Sequence, residues 1–238
     1  MRRTPNPWPS ATFLGRVEPQ TLEELLAAGT AAEYAADRTL LHQGEDSRHV
    51  LLITRGVVKV VAGTAEGHEM LVAVRVAGDL VGEMAALESR PRSGTVLACG
   101  EVTVRVIQWH ILEKLLHRHP DAADSLMHML CARLRWANRR RLDFRAYDSS
   151  IRLARVLAEL TQMYGRPVRG APDERQELAV TLTQTELASL AGLALTTAEK
   201  ALADLARLGL VERSYRRITI NDFPRLLVFS KIAAENPY

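Results

Sequence analysis

Cysteine is nearly missing from this chain, which has only Cys99 and Cys131 in 238 residues. Two thiols cannot build a disulfide framework, nor can they supply four thiolates to an iron–sulfur cluster. Free thiols in a reducing, cytoplasmic setting are expected. The sequence also has no apolar run of about 18 residues, so no membrane span is expected. The segment Met1-Arg2-Arg3-Thr4-Pro5-Asn6-Pro7-Trp8-Pro9 is basic, but no apolar stretch follows it, so it does not read as a secretory signal. A strong charge bias is lacking too: 31 basic against 28 acidic residues leave a net charge of +3, which by itself implies no nucleic-acid partner. Lysine is scarce, and arginine carries most of the positive charge. No nucleophile and base stand together with local sequence support. His42, His49 and His68 fall on different strands or turns. His117-Arg118-His119 sits at a helix end, where histidine complements the dipole. No metal, haem or iron–sulfur cluster is expected.

What is present changes texture along the chain. Residues 18–28 read as a short helix capped by Thr21, with Glu23 and Glu24 in its first turn. From Ala31 to Ile107 short apolar runs alternate with turn residues. The candidate strands lie at 40–41, 50–53, 57–61, 70–74 and 102–107. Turns at Gly44-Glu45, Arg55-Gly56, Glu66-Gly67 and Ala77-Gly78-Asp79 separate them. Many short, evenly spaced strands predict a β-roll or barrel. A short helix at 111–116 ends at His119-Pro120, and a long one runs from Asp121 to about Tyr147. Met127, Leu130, Leu134, Ala137 and Phe144 repeat on the long helix at coiled-coil spacing, interrupted by Arg141. A helix of roughly 40 Å cannot bury its whole length on a small roll, so pairing with its own copy is expected. Asp148-Ser149-Ser150 breaks it and caps the next helix, Ile151–Tyr164. Residues 165–177 read as a polar loop.

Residues 82–95 carry the strongest local chemistry. Glu83 stands at one end of a short apolar turn, and Arg92, Ser93 and Gly94 stand at the other. Arg92, the Ser93 hydroxyl and backbone N–H groups suit a phosphate, while Glu83 suits a hydroxyl donor such as a ribose 2′-OH. Together they suit a small nucleotide. The plainer alternative is a β-turn with a Glu83–Arg92 surface pair that contributes on the order of 0–1 kcal/mol.

Residues 183–208 carry a second motif. Thr183-Gln184-Thr185-Glu186 is a capping box. A helix with Leu187 and Leu190 inward follows, then Ala191-Gly192 as a turn, then a helix over 196–208 with Ala198, Ala201, Leu202 and Leu205 inward. This reads as a helix-turn-helix, with an ordinary αα-corner as the alternative. Val211–Tyr215 and Arg217–Ile220 alternate like a hairpin, which adds a basic wing with Arg213, Arg216 and Arg217. Asp222 and Pro224 start a last helix.

The cassette Gly82, Glu83, Ala85, Pro91, Arg92, Ser93 and Thr95 resembles the phosphate-binding cassette of cyclic-nucleotide-binding domains, with Ala86 where leucine is usual. The order of roll, cassette, long helix, capped hinge and winged helix-turn-helix resembles the cyclic-AMP receptor / fumarate-nitrate-reduction family of transcription regulators. The resemblance runs from about Leu14 to the wing. It implies an α+β chain with a cyclic-nucleotide-binding roll over residues 1–120, a dimerisation helix over 121–147 and a winged DNA-binding domain over 148–238. It also implies a homodimer on a two-fold symmetric double-stranded DNA site, RNA polymerase as a further partner, and cyclic AMP or another cyclic nucleotide as effector. Gly82, Glu83, Met84, Arg92 and Ser93 are the implied effector contacts, with Asn138 at the base. Thr183, Thr185, Leu195, Thr196, Thr197, Lys200, Arg216 and Arg217 are the implied DNA contacts.

Departures qualify that resemblance. Where cyclic-AMP-binding members place two hydroxyl residues against the adenine, this chain has Ala137 and Asn138, and a basic patch, Arg139-Arg140-Arg141, follows. Those arginines either meet a more highly charged effector or face solvent and neighbouring acids; the second is expected. The reading helix carries Leu195, Thr196 and Lys200 where well-studied members carry Arg, Glu and Arg. Ala194 in its cap slot forfeits about 1 kcal/mol against serine. Two other readings stand beside a nucleotide-controlled regulator. One is the same DNA reader with a ligand-free roll. The other is a cupin-like enzyme or an interaction module.

Overall fold

Every residue of Val50-Leu51-Leu52-Ile53 is fully buried, although a strand of a half-wet sheet should alternate. The computed structural model, which describes residues 8–63, 66–67, 69–214 and 217–232, shows why. Val50 and Leu52 point into a cluster with Phe13, Leu25, Leu80, Ile107, Leu112 and Leu126. Leu51 and Ile53 point into a second cluster with Leu41, Val58, Val81, Val96 and Val104. Helices cover one face of this strand and a second sheet covers the other, so the period-2 pattern disappears into a continuous apolar run.

The chain divides into two compact units, Met1–Arg135 and Trp136–Tyr238. The first opens with a 3-10 turn at Leu14–Arg16 and helix α1 (Pro19–Ala27). Strands β1 (Thr30–Tyr34), β2 (Thr39–Leu41), β3 (Val50–Arg55), β4 (Val57–Gly63), β5 (Glu69–Val76) and β6 (Leu80–Val81) follow. Then come α2 (Glu83–Glu88), β7 (Thr95–Ala98), β8 (Val102–Ile107) and α3 (Trp109–Arg118). The strands form two four-stranded sheets ordered β1-β8-β3-β6 and β2-β7-β4-β5. Both contribute to the cluster around Leu51 and Ile53, as in a roll whose two inner faces interdigitate.

Helix α4 (Pro120–Ala146) crosses the division between the units. Its seam residues Met127 and Leu134 are 56% and 63% exposed, against the 3% of Met129 on the face that packs on the roll. The second unit continues with α5 (Ser149–Tyr164), β9 (Gly165–Pro167), β10 (Gln176–Leu178), α6 (Gln184–Ala191), α7 (Leu195–Arg207), β11 (Val211–Ser214), β12 (Arg217–Ile220) and α8 (Phe223–Phe229). Its sheet is ordered β11-β12-β10-β9.

The structure corrects the sequence reading at several points. Helix α1 starts on Pro19 after an extended Glu18 with no side-chain cap, because the proline presets the first helical φ. Thr21 instead spends its hydroxyl on Asp121 Oδ1 at 3.0 Å, which ties α1 to α4. Residues 165–177 are not purely a loop. Gly165–Pro167 and Gln176–Leu178 pair, and Gln176 also pairs with Ile220, so this stretch extends the wing sheet. Proline and glycine hid these strands; at an edge they are tolerated. Cys131 is exposed on α4.

Candidate functional site

β6 delivers the chain to Gly82, whose φ is +83°. A Cβ there would lie 2.6 Å from Arg92 Nη1 and 3.0 Å from Leu41 Cδ1, so both the backbone and the space require glycine. Glu83 follows as the first residue of α2 and is 4% exposed. A buried carboxylate needs a partner, and Arg133 of α4 supplies it: Nη1 donates to Glu83 Oε1 at 2.5 Å. Arg133 Nη2 donates to the Leu80 carbonyl at 2.8 Å and lies 3.7 Å from Asp79 Oδ1. Burial pushes the Asp79 carboxyl above its usual range, and Arg133 acts against that shift.

Arg92 is 3% exposed. Its Nε donates to Ser47 Oγ at 3.1 Å, Nη1 to the Gly82 carbonyl at 2.8 Å and Nη2 to the His49 carbonyl at 2.6 Å. These acceptors are all neutral, and they take three of the five N–H donors that a guanidinium carries. Burial lowers the Arg92 pKa, while Glu45 and Glu83 act to raise it. Ser93, next in sequence, is exposed, with its Oγ 3.9 Å from Met84 Sδ. Met84 is half exposed. The structure therefore brings Gly82, Glu83, Met84, Arg92 and Ser93 together. Glu83 takes its ion pair from Arg133, and the alternative Glu83–Arg92 surface pair is replaced by two separately held buried charges. Arg133 was missed. A buried glutamate calls for a cation, but α4 offers many arginines and local spacing cannot choose among them. Asn138 belongs to the second unit and is exposed on α4.

In the second unit the end of α4 meets α5 through a closed charge network. Arg140 Nη2 lies 2.5 Å from Glu159 Oε2, and Trp136 Nε1 donates to the same oxygen at 2.9 Å. Arg155 Nε lies 3.0 Å from Asp143 Oδ1, and its Nη1 donates to the Ser230 carbonyl at 3.0 Å. Arg140, Asp143, Arg155 and Glu159 are each less than a tenth exposed. Of the basic patch 139–141, Arg140 therefore faces acids of its own unit, and Arg141 is exposed. Asp148 caps α5 by accepting from Ile151 N at 2.9 Å. Phe144, expected in the α4 seam, stacks beneath Arg152, whose guanidinium carbon is 4.5 Å from the ring centre. A side chain on Gly192, at φ +59°, would overlap that ring. Arg152 also donates to the Ala191 carbonyl at 2.7 Å and to that of Gly192, which holds the turn between α6 and α7.

The capping box forms: Thr183 Oγ1 accepts from Glu186 N at 3.2 Å, and Thr183 N donates to Glu186 Oε2 at 2.7 Å. Helix α7 buries Ala198, Ala201, Leu202 and Leu205. Leu195, Thr196 and Lys200 are exposed on its opposite face, and Thr197 is partly covered. Thr185 is exposed on α6. Arg217 is exposed on β12, its Nε 3.4 Å from Glu177 Oε1. Arg216 and His68 lie outside the described residues. The sequence reading missed Glu199, an exposed carboxylate on the same outward face of α7.

Residues 31–119 match the cyclic nucleotide-binding domain, and residues 151–229 match the Crp-like helix-turn-helix domain. The chain is 29% identical over 212 residues to a CRP-like cAMP-activated global transcriptional regulator of Mycobacterium tuberculosis, covering 88% of this chain and 92% of that one. It is 26% identical over 201 residues to the cAMP-activated global transcriptional regulator CRP of Salmonella typhimurium, covering 84% and 93%. Among solved structures, FixK2 from Bradyrhizobium japonicum has the same fold, with a TM-score of 0.71 at 24% identity over 87% of this chain and 100% of that one. With a nucleotide-binding-type roll, a capped helix-turn-helix and relatives that align across nearly their whole length, this chain belongs to the CRP/FNR family of DNA-binding transcription regulators, and the cupin-like enzyme is set aside.

Proposed function

We infer that this protein is a homodimeric, cytoplasmic regulator whose DNA binding is controlled by a cyclic nucleotide held in the roll. The observation that carries the reading is Arg92, a buried guanidinium whose side-chain hydrogen bonds all go to neutral acceptors. A buried cation with no direct ion pair among the described residues, and only the longer-range charges of Glu45 and Glu83 nearby, is costly, and a phosphate arriving at its remaining donors would give it a direct partner. Ser93 would donate to the same phosphate, Gly82 and Met84 would line the pocket, and Glu83 would accept from a ribose hydroxyl. Asn138 would read the base edge. The cAMP-activated relatives support a cyclic nucleotide as the ligand class. Met127 and Leu134, the seam residues of α4 left exposed, support pairing with a second copy, although Leu130 packs on the roll and Phe144 under Arg152. On DNA, α7 would enter the major groove with Leu195, Thr196, Thr197 and Lys200. Thr183, Thr185, Arg216 and Arg217 would meet phosphates. RNA polymerase is the further partner this reading implies, and the three-part division at residues 120 and 147 is the domain scheme that goes with it.

Calorimetric titration with cyclic AMP, cyclic GMP and cyclic dinucleotides tests the effector. Micromolar binding that Arg92→Ala abolishes is expected, and no binding to any of them overturns it. A second reading, a ligand-free roll, is favoured by Arg133, which already occupies Glu83. Under that reading operator affinity is unchanged by every nucleotide. For the reader, log affinity should fall with log salt by about 0.9 per phosphate contact, and charge reversal at Arg217 should flatten that slope.

A further inference from the structure

An acid on the DNA-facing side of a reading helix needs a reason, because phosphates repel it from every approach. Glu199 stands there, one turn beyond Leu195 and Thr196 and beside Lys200, all exposed. It is also held in place. The amide of Gln184, the first residue of α6, lies between Glu199 and Arg213 of β11. Its hydrogen-bonding sense follows from those neighbours. The nitrogen donates to Glu199 Oε1 at 2.8 Å, and the oxygen accepts from Arg213 Nη2 at 2.8 Å and also from Nη1. Both helices of the reader and the wing are thus joined by one polar bridge. The bridge engages one oxygen of the carboxylate and orients the other.

We propose that Glu199 determines base specificity by accepting a hydrogen bond from the N4 amino group of cytosine in the major groove, with Gln184 as its positioning residue. The two amino donors of the major groove are on cytosine and adenine, and adenine sets the N7 acceptor beside its amino group, where it would face the carboxylate oxygen. That selects cytosine. The proposal deepens the DNA-reading role of this family and requires only that α7 face the groove.

The test is selection of bound duplexes from a random library by the full-length wild type, Glu199→Ala, Glu199→Gln and Gln184→Ala, followed by competition at fixed salt, with and without cyclic AMP. The wild type should select a C·G pair at one position of each half-site. Replacing that pair should weaken binding on the order of tenfold or more per half-site. Glu199→Ala should bind all four pairs there about equally, and Glu199→Gln should turn toward adenine, because a carboxamide matches N6 and N7. Gln184→Ala should keep the preferred base but lessen the discrimination. The salt slope should be unchanged in Glu199→Ala, since no phosphate contact is lost. If Glu199→Ala keeps the cytosine preference, or changes the salt slope while leaving base preference intact, Glu199 only braces the wing and the proposal fails. If the wild type enriches no sequence at all, DNA reading itself fails, which is a different result.

Discussion

Two regions bury arginine in opposite ways. At the corner of α4 and α5, Arg140 and Arg155 meet Glu159 and Asp143, and every charge is compensated within the unit. In the cassette, Arg92 is as deeply buried but is surrounded by a hydroxyl and two carbonyls. The first arrangement is closed and fixes geometry. The second holds a side chain in place and keeps its charge available. Arg133 lies between these cases, closed on Glu83 yet beside the open site. A charge network without an outside partner reads as structure, and a positioned charge with no carboxylate in direct contact reads as a place for an anion.

The largest effect expected from that contrast is in the corner. Glu159→Ala should cost about 3–5 kcal/mol in chemical denaturation, because it removes the nearer carboxylate of a buried guanidinium, leaving only Asp143 at 3.7 Å, and leaves the Trp136 indole N–H without its acceptor. A loss under about 1 kcal/mol would mean the corner is not closed as described. Next comes ligand stabilisation. A cyclic nucleotide at 100 times its Kd should raise stability by about 2.7 kcal/mol in the wild type and not at all in Arg92→Ala. Smaller again is Arg92→Ala without nucleotide. It frees three neutral acceptors that water can reach, and it relieves a desolvated charge, so about 1–2 kcal/mol is expected. If Arg92→Ala cost as much as Glu159→Ala, the two regions would be of one kind.

These residues also mark how far the sequence could be read. The cassette was legible because its groups sit within a dozen residues, so spacing alone brings Glu83, Arg92 and Ser93 to one place. The capping box and the turn at Gly192 were legible for the same reason. What was not legible depends on distant partners. Arg133 reaches Glu83 across 50 residues, and Gln176 pairs with Ile220 through a sheet that no local pattern announces. Phe144 kept perfect seam spacing and still turned to the Gly192 turn, because Arg152 offers its ring a cation face. Glu199 was overlooked for a subtler reason. An acid on a basic reader looks like solvent-facing charge until Gln184, itself anchored by Arg213, is placed against it.

The smallest effect concerns His49, whose carbonyl accepts from Arg92 Nη2 at 2.6 Å. Burial lowers the pKa of its imidazole first and the charge of Arg92 lowers it further, while Glu45 opposes both. The folded value therefore lies below that of the unfolded chain. As pH falls through the unperturbed value of 6.5, the unfolded state takes up a proton that the folded state refuses. Stability is full above that pH and declines below it, a slope that thermal melts between pH 7.5 and pH 5.5 should resolve and that His49→Gln should remove. The two causes can be separated at the cassette. An anion on Arg92 cancels the repulsion that Arg92 exerts on the imidazole and leaves the burial in place. Bound nucleotide should therefore shrink the acid slope of the wild type without abolishing it. An identical slope with and without nucleotide would place the anion away from Arg92 and remove the cassette's half of the contrast.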